Sequence, residues 1–283
     1  LSGHAFFVNP STWEGGKAMK SRIRQAIVFA WIVFGIIAIS AAPAISATLD
    51  DIIKRGKVKI AVPIDVAPFG TVDKDGKVEG YDIDVARMIA KDLGVELELM
   101  PTTGINRIPY LLTKKVDMVV FIFGATPERA KSVSFTIPYA PFFIGIFGPT
   151  ELPVSSAPET KGYRVGVPRG TTQDISFTEI APEGVQIIRY EDDATTAAAL
   201  LSGQVDMIGT GNLVATSLNE KNPGKFELKF VLRISPGHIG VRRNEPDLMQ
   251  WLNTFIFYHR VKGDLNKLSL KWFKQPLPEL PAF

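Results

Sequence analysis

Arg129 is the side chain best placed to grip an anion. It follows an apolar run, Val116 to Phe123, that breaks at Gly124 and leads through Ala125, Thr126 and Pro127 into a helical stretch with Glu128. A run of that length and β-branched content reads as a fully buried strand. A guanidinium just past the carboxyl end of such a strand can meet a carboxylate with two parallel hydrogen bonds, which a lysine cannot do. The competing reading pairs Arg129 with Glu128 at the surface, where ion pairs are common and weak.

Two further segments carry groups of the same kind. Arg169-Gly170-Thr171-Thr172-Gln173 follows a strand-like stretch and opens a helix. Gly170 permits a tight turn, Thr171 and Thr172 can hydrogen-bond, and the helix N-terminus favours an anion; a plain threonine cap is the alternative. After the first predicted strand, Asp65 offers an acceptor and Phe69 a ring face, with core packing as the alternative for the ring. Other chemistries find little support. The chain has no cysteine, which removes disulfides, thiolate metal ligands and a cysteine nucleophile. Neither nucleophile–base motifs nor metal-ligand spacings occur, so no cofactor or metal is expected, and His238 and His259 read as structural.

The elements that must hold these residues alternate short apolar strands with amphipathic helices, the pattern of an α/β fold. Val58–Val62 and Leu97–Met100 read as strands. Ile83–Leu93 reads as a helix with Asp82 as its N-cap and Gly94 as its stop, and Ile108–Lys114 as a short helix. The grammar then repeats: Leu200–Met207 echoes Leu111–Met118, and Gly162–Pro168 echoes Gly56–Pro63. Two lobes of one design follow. Gly- and Pro-rich boundaries at Gly145–Pro153 and Arg233–Gly240 predict a second lobe, residues 148–236, inserted within a first made of 48–147 and 237–283. Met249–Val261 and Leu265–Phe273 would be closing helices, anchored by Trp251, Phe255, Trp272 and Phe273. Two lobes on two crossings form a cleft that can close on a hinge.

Residues 1–47 read as an upstream extension and a signal peptide. Lys20, Arg22 and Arg24 precede an apolar run from Ala26 to Ala42 and the small-residue stretch Ala44–Ala47. The chain's net charge of +3 lies in this leader, which holds Lys17, Lys20, Arg22 and Arg24 against Glu14. The remainder is formally neutral, giving no support to nucleic-acid or lipid binding. A periplasmic protein, monomeric and without a membrane anchor, is expected.

Gly80-Tyr81-Asp82-Ile83-Asp84-Val85-Ala86, Arg107-Ile108-Pro109, Val116-Asp117, Thr126-Pro127-Glu128-Arg129 and Lys271-Trp272-Phe273 come in an order that resembles the periplasmic solute-binding proteins of polar amino acid ABC transporters. The resemblance covers nearly all of residues 49–275. It implies the type II two-lobe fold with two hinge crossings, a small carboxylate ligand, most simply an amino acid, closed between the lobes, and delivery to a membrane permease. It further implies that Arg129, helped by Thr126, binds the ligand's α-carboxylate, with Gly170–Thr172 contributing from the facing lobe. Three positions depart from the family's pattern. Gly211, flanked by Thr210 and Asn212, stands where an aspartate usually grips the α-amino group. Gly124 stands where a serine or threonine is common, and Gly104, with Asn106 nearby, where an aromatic is common. An ammonium buried without a counter-charge would cost several kcal/mol. Either Asp65 or another acid replaces the missing aspartate, or the ligand is a carboxylate without a charged amine, such as an organic or keto acid. A few relatives resemble dehydratases of cyclic carboxylic acids, so an enzyme remains the rival class.

Overall fold

The computed structural model describes residues 2–4 and 48–281. The expected upstream extension and signal peptide, residues 1–47, lie outside the described residues apart from residues 2–4.

Helix α1 (Thr48–Arg55) leads into strand β1 (Lys57–Val62), and a small hairpin of β2 (Thr71–Val72) and β3 (Val78–Glu79) precedes α2 (Tyr81–Leu93). Strand β4 (Glu96–Pro101), helix α3 (Arg107–Leu112), strand β5 (Met118–Phe123), helix α4 (Pro127–Ala130) and strand β6 (Val133–Phe135) complete the first passage. The second lobe holds β7 (Phe143–Pro149), β8 (Arg164–Pro168), α5 (Thr172–Ile180), β9 (Gln186–Tyr190), α6 (Asp193–Leu201), β10 (Met207–Gly211), α7 (Asn212–Lys221) and β11 (Phe226–Ile234). The chain then returns through β12 (His238–Arg242) to α8 (Pro246–Val261) and α9 (Asp264–Phe273).

Two five-stranded mixed sheets result, in the orders β4-β1-β5-β12-β6 and β11-β7-β10-β8-β9. β1 runs parallel to β4 and β5, and β8 parallel to β9 and β10. Every residue of β5 is buried, which explains its unbroken apolar run. β7 pairs with β10 and β11 from Phe143 onward. The first crossing therefore precedes residue 143, earlier than the division at 147 read from the glycines. Those glycines sit inside the strand instead: a Cβ on Gly145 would meet the Phe230 carbonyl oxygen at 2.8 Å.

The repeated element is a matched pair of staples. Asp117, just before β5, accepts from the Lys59 N–H at 2.8 Å and from Arg55 at 2.6 Å. Asp206, just before β10, accepts from the Arg164 N–H at 2.8 Å and from the Arg164 guanidinium at 2.6 Å. Each carboxylate ties the start of one strand to its neighbour.

Asp82 is not the cap of α2. The helix opens at Tyr81 behind Gly80, whose φ of 141° suits glycine and whose Cβ would lie 2.2 Å from the Phe69 carbonyl oxygen. Asp82 is instead fully buried, with Tyr139 donating to its Oδ1 at 2.5 Å and Oδ2 left unpartnered. Burial, the largest influence, pushes its pKa up to about 8. Tyr139 in turn accepts from the Ile122 N–H at 3.1 Å. Of the four expected aromatic anchors, Phe255 and Phe273 are buried, while Trp251 and Trp272 pack against that core partly exposed.

Candidate functional site

The carboxyl ends of β1 and β5 face those of β8 and β10 across the cleft, the place where open α/β sheets bind ligands. β5 ends under strain: Ile122, a β-branched residue, has φ +34°. Beyond it, Thr126 caps α4 by accepting from the Arg129 N–H at 3.1 Å. That cap orients the turn bearing Arg129, and Thr126 itself does not line the cavity.

Arg129 is 7% exposed, so the surface pairing with Glu128 is not what the chain adopts. Glu128 pairs with Lys131 instead. The Arg129 guanidinium donates to the Gly124 carbonyl at 2.7 Å and, across the cleft, to the Gly170 carbonyl at 2.9 Å. Its plane lies by the Phe123 ring, 5.3 Å from the centroid. Burial first, then the nearby Arg107 and Arg233, depresses its pKa to about 9, so it stays cationic at neutral pH. An anion would relieve all three influences at once.

The Gly170–Thr172 turn is arranged differently from expectation. The Gly170 N–H is not free for an outside anion, because it donates to Asp174 Oδ2 at 2.9 Å. Asp174, in the first turn of α5, places a negative charge at that helix end, and Thr171 caps the helix by accepting from the Asp174 N–H. The turn presents the Gly170 carbonyl to Arg129, while Thr171 and Thr172 line the cleft.

A cavity of about 20 Å³ lies between the lobes, and its walls include Gly104, Arg107, Phe142, Thr171, Thr172 and Asp193. Arg107, buried, donates to the Gly104 carbonyl at 2.8 Å and the Phe121 carbonyl at 3.2 Å. Its guanidinium lies over Phe121 and Phe123, 4.9 and 4.8 Å from their centroids. The three departing glycines leave space that neighbours use. A Cβ on Gly104 would meet Thr171 Cγ2 at 3.0 Å and Arg107 Nη2 at 3.3 Å. One on Gly124 would meet Ser235 Oγ at 2.6 Å and Thr172 Cγ2 at 2.8 Å. At Gly211 the Cβ position is 1.8 Å from Phe142 Cζ, so a phenylalanine ring stands where an aspartate side chain would begin.

Other expected site residues turn elsewhere. Phe69 is fully buried, edge-on to Phe142 at 5.5 Å and tilted on Phe273 at 5.1 Å, so the core reading of that ring holds. Asn106 donates to Thr103 Oγ1 at 2.9 Å, and Thr210 is buried within β10; neither lines the cavity. Asp65 is partly buried at the cleft edge, with Oδ1 enclosed and unpartnered. Its pKa rises to about 6, through burial first and then the facing Asp192. His238 is buried against the Thr136 carbonyl at 2.7 Å, and His259 sits between Asp92 and Asp264 at 2.7 and 2.9 Å, both away from the cavity.

Sequence reasoning missed Arg107, Phe142 and Asp193. Arg107 belongs to a motif quoted only for its pattern. Asp193 follows the N-cap Asp192 and reads as an ordinary first-turn acid of α6. Phe142 gives no local signal, because its neighbour Gly211 is distant in sequence.

Residues 58–275 match the sequence profile of the bacterial extracellular solute-binding proteins, family 3. The L-cystine-binding protein TcyJ of Escherichia coli (strain K12) is 29% identical over 229 residues, covering 80% of this chain and 85% of that protein. The P235GK mutant of ArgBP from T. maritima superposes with a TM-score of 0.75 at 30% identity, covering 81% of this chain and 100% of that one. The ancestral amino acid-binding protein AncCDT-1, a precursor of cyclohexadienyl dehydratase, gives a TM-score of 0.73 at 32% identity, covering 80% and 99%.

Proposed function

The chain belongs to the bacterial extracellular solute-binding proteins of family 3, and from that premise we propose that it binds a small carboxylate, most simply an amino acid, between its lobes and hands it to an ABC permease. The observation that carries this reading is the buried Arg129, held at the end of β5 with the cations of Arg107 and Arg233 close by. A cleft with that much buried positive charge is completed by an anion. The Gly124 and Gly170 carbonyls hold the guanidinium in place, and a carboxylate entering from the cavity exchanges with the Gly170 contact as the lobes adjust. Thr171 and Thr172 receive the ligand from the second lobe. Relatives that bind amino acids support the choice of ligand class, and the expected leader supports action in the periplasm. Among the described residues, no helix is long and apolar enough to cross a membrane.

Native mass spectrometry of the purified protein identifies the retained ligand, and calorimetry then measures it. Arg129→Ala removes a charge-assisted pair and weakens binding about 100-fold or more. Unchanged affinity would refute the assignment.

A second reading has one specific observation behind it. Asp193 lines the cavity with its pKa raised to about 7, suited to a general acid, and AncCDT-1 precedes a dehydratase. Product formed from cyclic carboxylic acids at catalytic protein levels would favour it over pure binding.

A further inference from the structure

The proposed function leaves the other end of the ligand open, because the position that usually holds an amine-binding aspartate is glycine. The missing acid has been replaced in space rather than merely deleted: Phe142 Cζ lies 1.8 Å from where a Cβ on Gly211 would sit. An ammonium directed there would meet an aromatic ring backed by Phe69. Two carboxylates from opposite lobes stand within each other's field, Asp193 on the cavity wall and Asp65 beside it. Asp193, at the start of α6, lines the cavity and makes no hydrogen bond or ion pair among the described residues. Asp65, after β1, keeps an enclosed oxygen without a partner.

We infer that the ligand's positively charged group is received between Asp65 of the first lobe and Asp193 of the second, so that the ligand is a zwitterion or carries a basic side chain. This rests on the proposed function, with Arg129 holding the carboxylate.

Charge across the cleft supports the inference. Asp193 faces Asp65 and the adjacent Asp192, both of which disfavour its ionised form, after burial as the largest cause. Arg107 is the cation that acts on it and offsets part of this repulsion, while its own hydrogen bonds go to the Gly104 and Phe121 carbonyls rather than to a carboxylate. Closing the lobes therefore brings like charges together, and a cation between them converts that repulsion into two attractive contacts. A ligand lacking a positive group leaves the repulsion in place, or requires the carboxyls to take up protons. The pair would thus select the ligand and make closure depend on it. An arriving cation lowers both carboxyl pKa values, so the complex binds fewer protons than the free protein. Affinity for such a ligand then falls as the pH is lowered below about 7 and levels off above it.

The test uses calorimetry on the full chain with the L-amino acids and L-cystine, each compared with its deaminated 2-oxo acid. The expected result is that at least one amino acid binds roughly 100-fold or more tightly than its oxo acid. Asp193→Asn and Asp65→Asn should each reduce that preference about tenfold, abolish the pH dependence in part, and leave the melting temperature of the free protein unchanged or higher. Retention of the full preference in both variants would overturn the inference. So would failure of every amino acid to bind, or a retained native ligand without a basic nitrogen. If Arg129→Ala abolishes binding while the two Asn variants keep the preference, the carboxylate site stands and only this inference falls.

Discussion

Asp117 and Asp206 hold equivalent places in the two lobes, each tying the start of a strand to the backbone of its neighbour. Beyond those strands the lobes diverge. β5 runs on to a strained Ile122, Gly124 and a buried arginine, within a core that also takes in α8 and α9. β10 runs on to Gly211 and directly into α7, and its lobe has two smaller apolar clusters. The first lobe thus supplies a deeply supported cation. The second supplies threonines, a carbonyl and an acid from the ends of α5 and α6. The repeated element is scaffold, and chemistry lies in what each copy does after its strand ends.

The sharpest way to break this comparison is to give the second lobe the acid it lacks. Gly211→Asp forces a side chain into the Phe142 ring and should destabilise the protein by about 3 kcal/mol, near the upper end for overpacking. Phe142→Ala in the same chain should recover most of that loss in thermal melts. If Gly211→Asp alone melts like the parent, the ring is not the obstacle.

The staples offer a finer comparison. Asp117 is buried and Asp206 less so. Asp117→Ala leaves the Lys59 N–H and Arg55 unpaired and should cost about 2 kcal/mol, whereas Asp206→Ala should cost nearer 1 kcal/mol because solvent replaces part of its bonding. Urea unfolding measures both, and equal losses would show that burial does not distinguish the lobes.

A pH-dependent difference is expected at Asp82, fully buried in the first lobe. Its folded pKa of about 8 lies above the unfolded carboxyl value, so its contribution to stability is complete in acid, shrinks steadily once pH passes the unfolded value and is gone above about 8. Asp82→Asn can still accept from Tyr139 and should match the parent at low pH, then exceed it in melting temperature at pH 9. A parallel pair of stability curves would count against a buried, protonated Asp82.

Much of this arrangement was legible in the sequence because it is local. The unbroken apolar run of β5, the glycine break after it and the duplicated helix–strand element each follow from residues close in the chain. Arg129 was placed by the same logic. Gly170–Thr172 reads from the sequence as an anion-facing turn, but the Gly170 N–H is taken by Asp174 four residues on, a bond that local pattern does not reveal. Phe69 was found as a ring near the cleft, but its partners Tyr81, Phe142 and Phe273 fix it in the core. Arg107, Phe142 and Asp193 acquire meaning only when the lobes meet. Their neighbours are contributed by the other lobe or by a crossing, and no periodicity encodes that.

Phe142 and Gly211 also limit the order in which this chain can change. An acid at position 211 requires the ring, 1.8 Å from its first carbon, to move aside. Shrinking residue 142 first would open a hole beside Phe69 that brings no gain until the second substitution follows. Each step alone costs stability, and each relieves the cost of the other. Substitutions on the far wall of the cleft, clear of the ring, carry no such coupling.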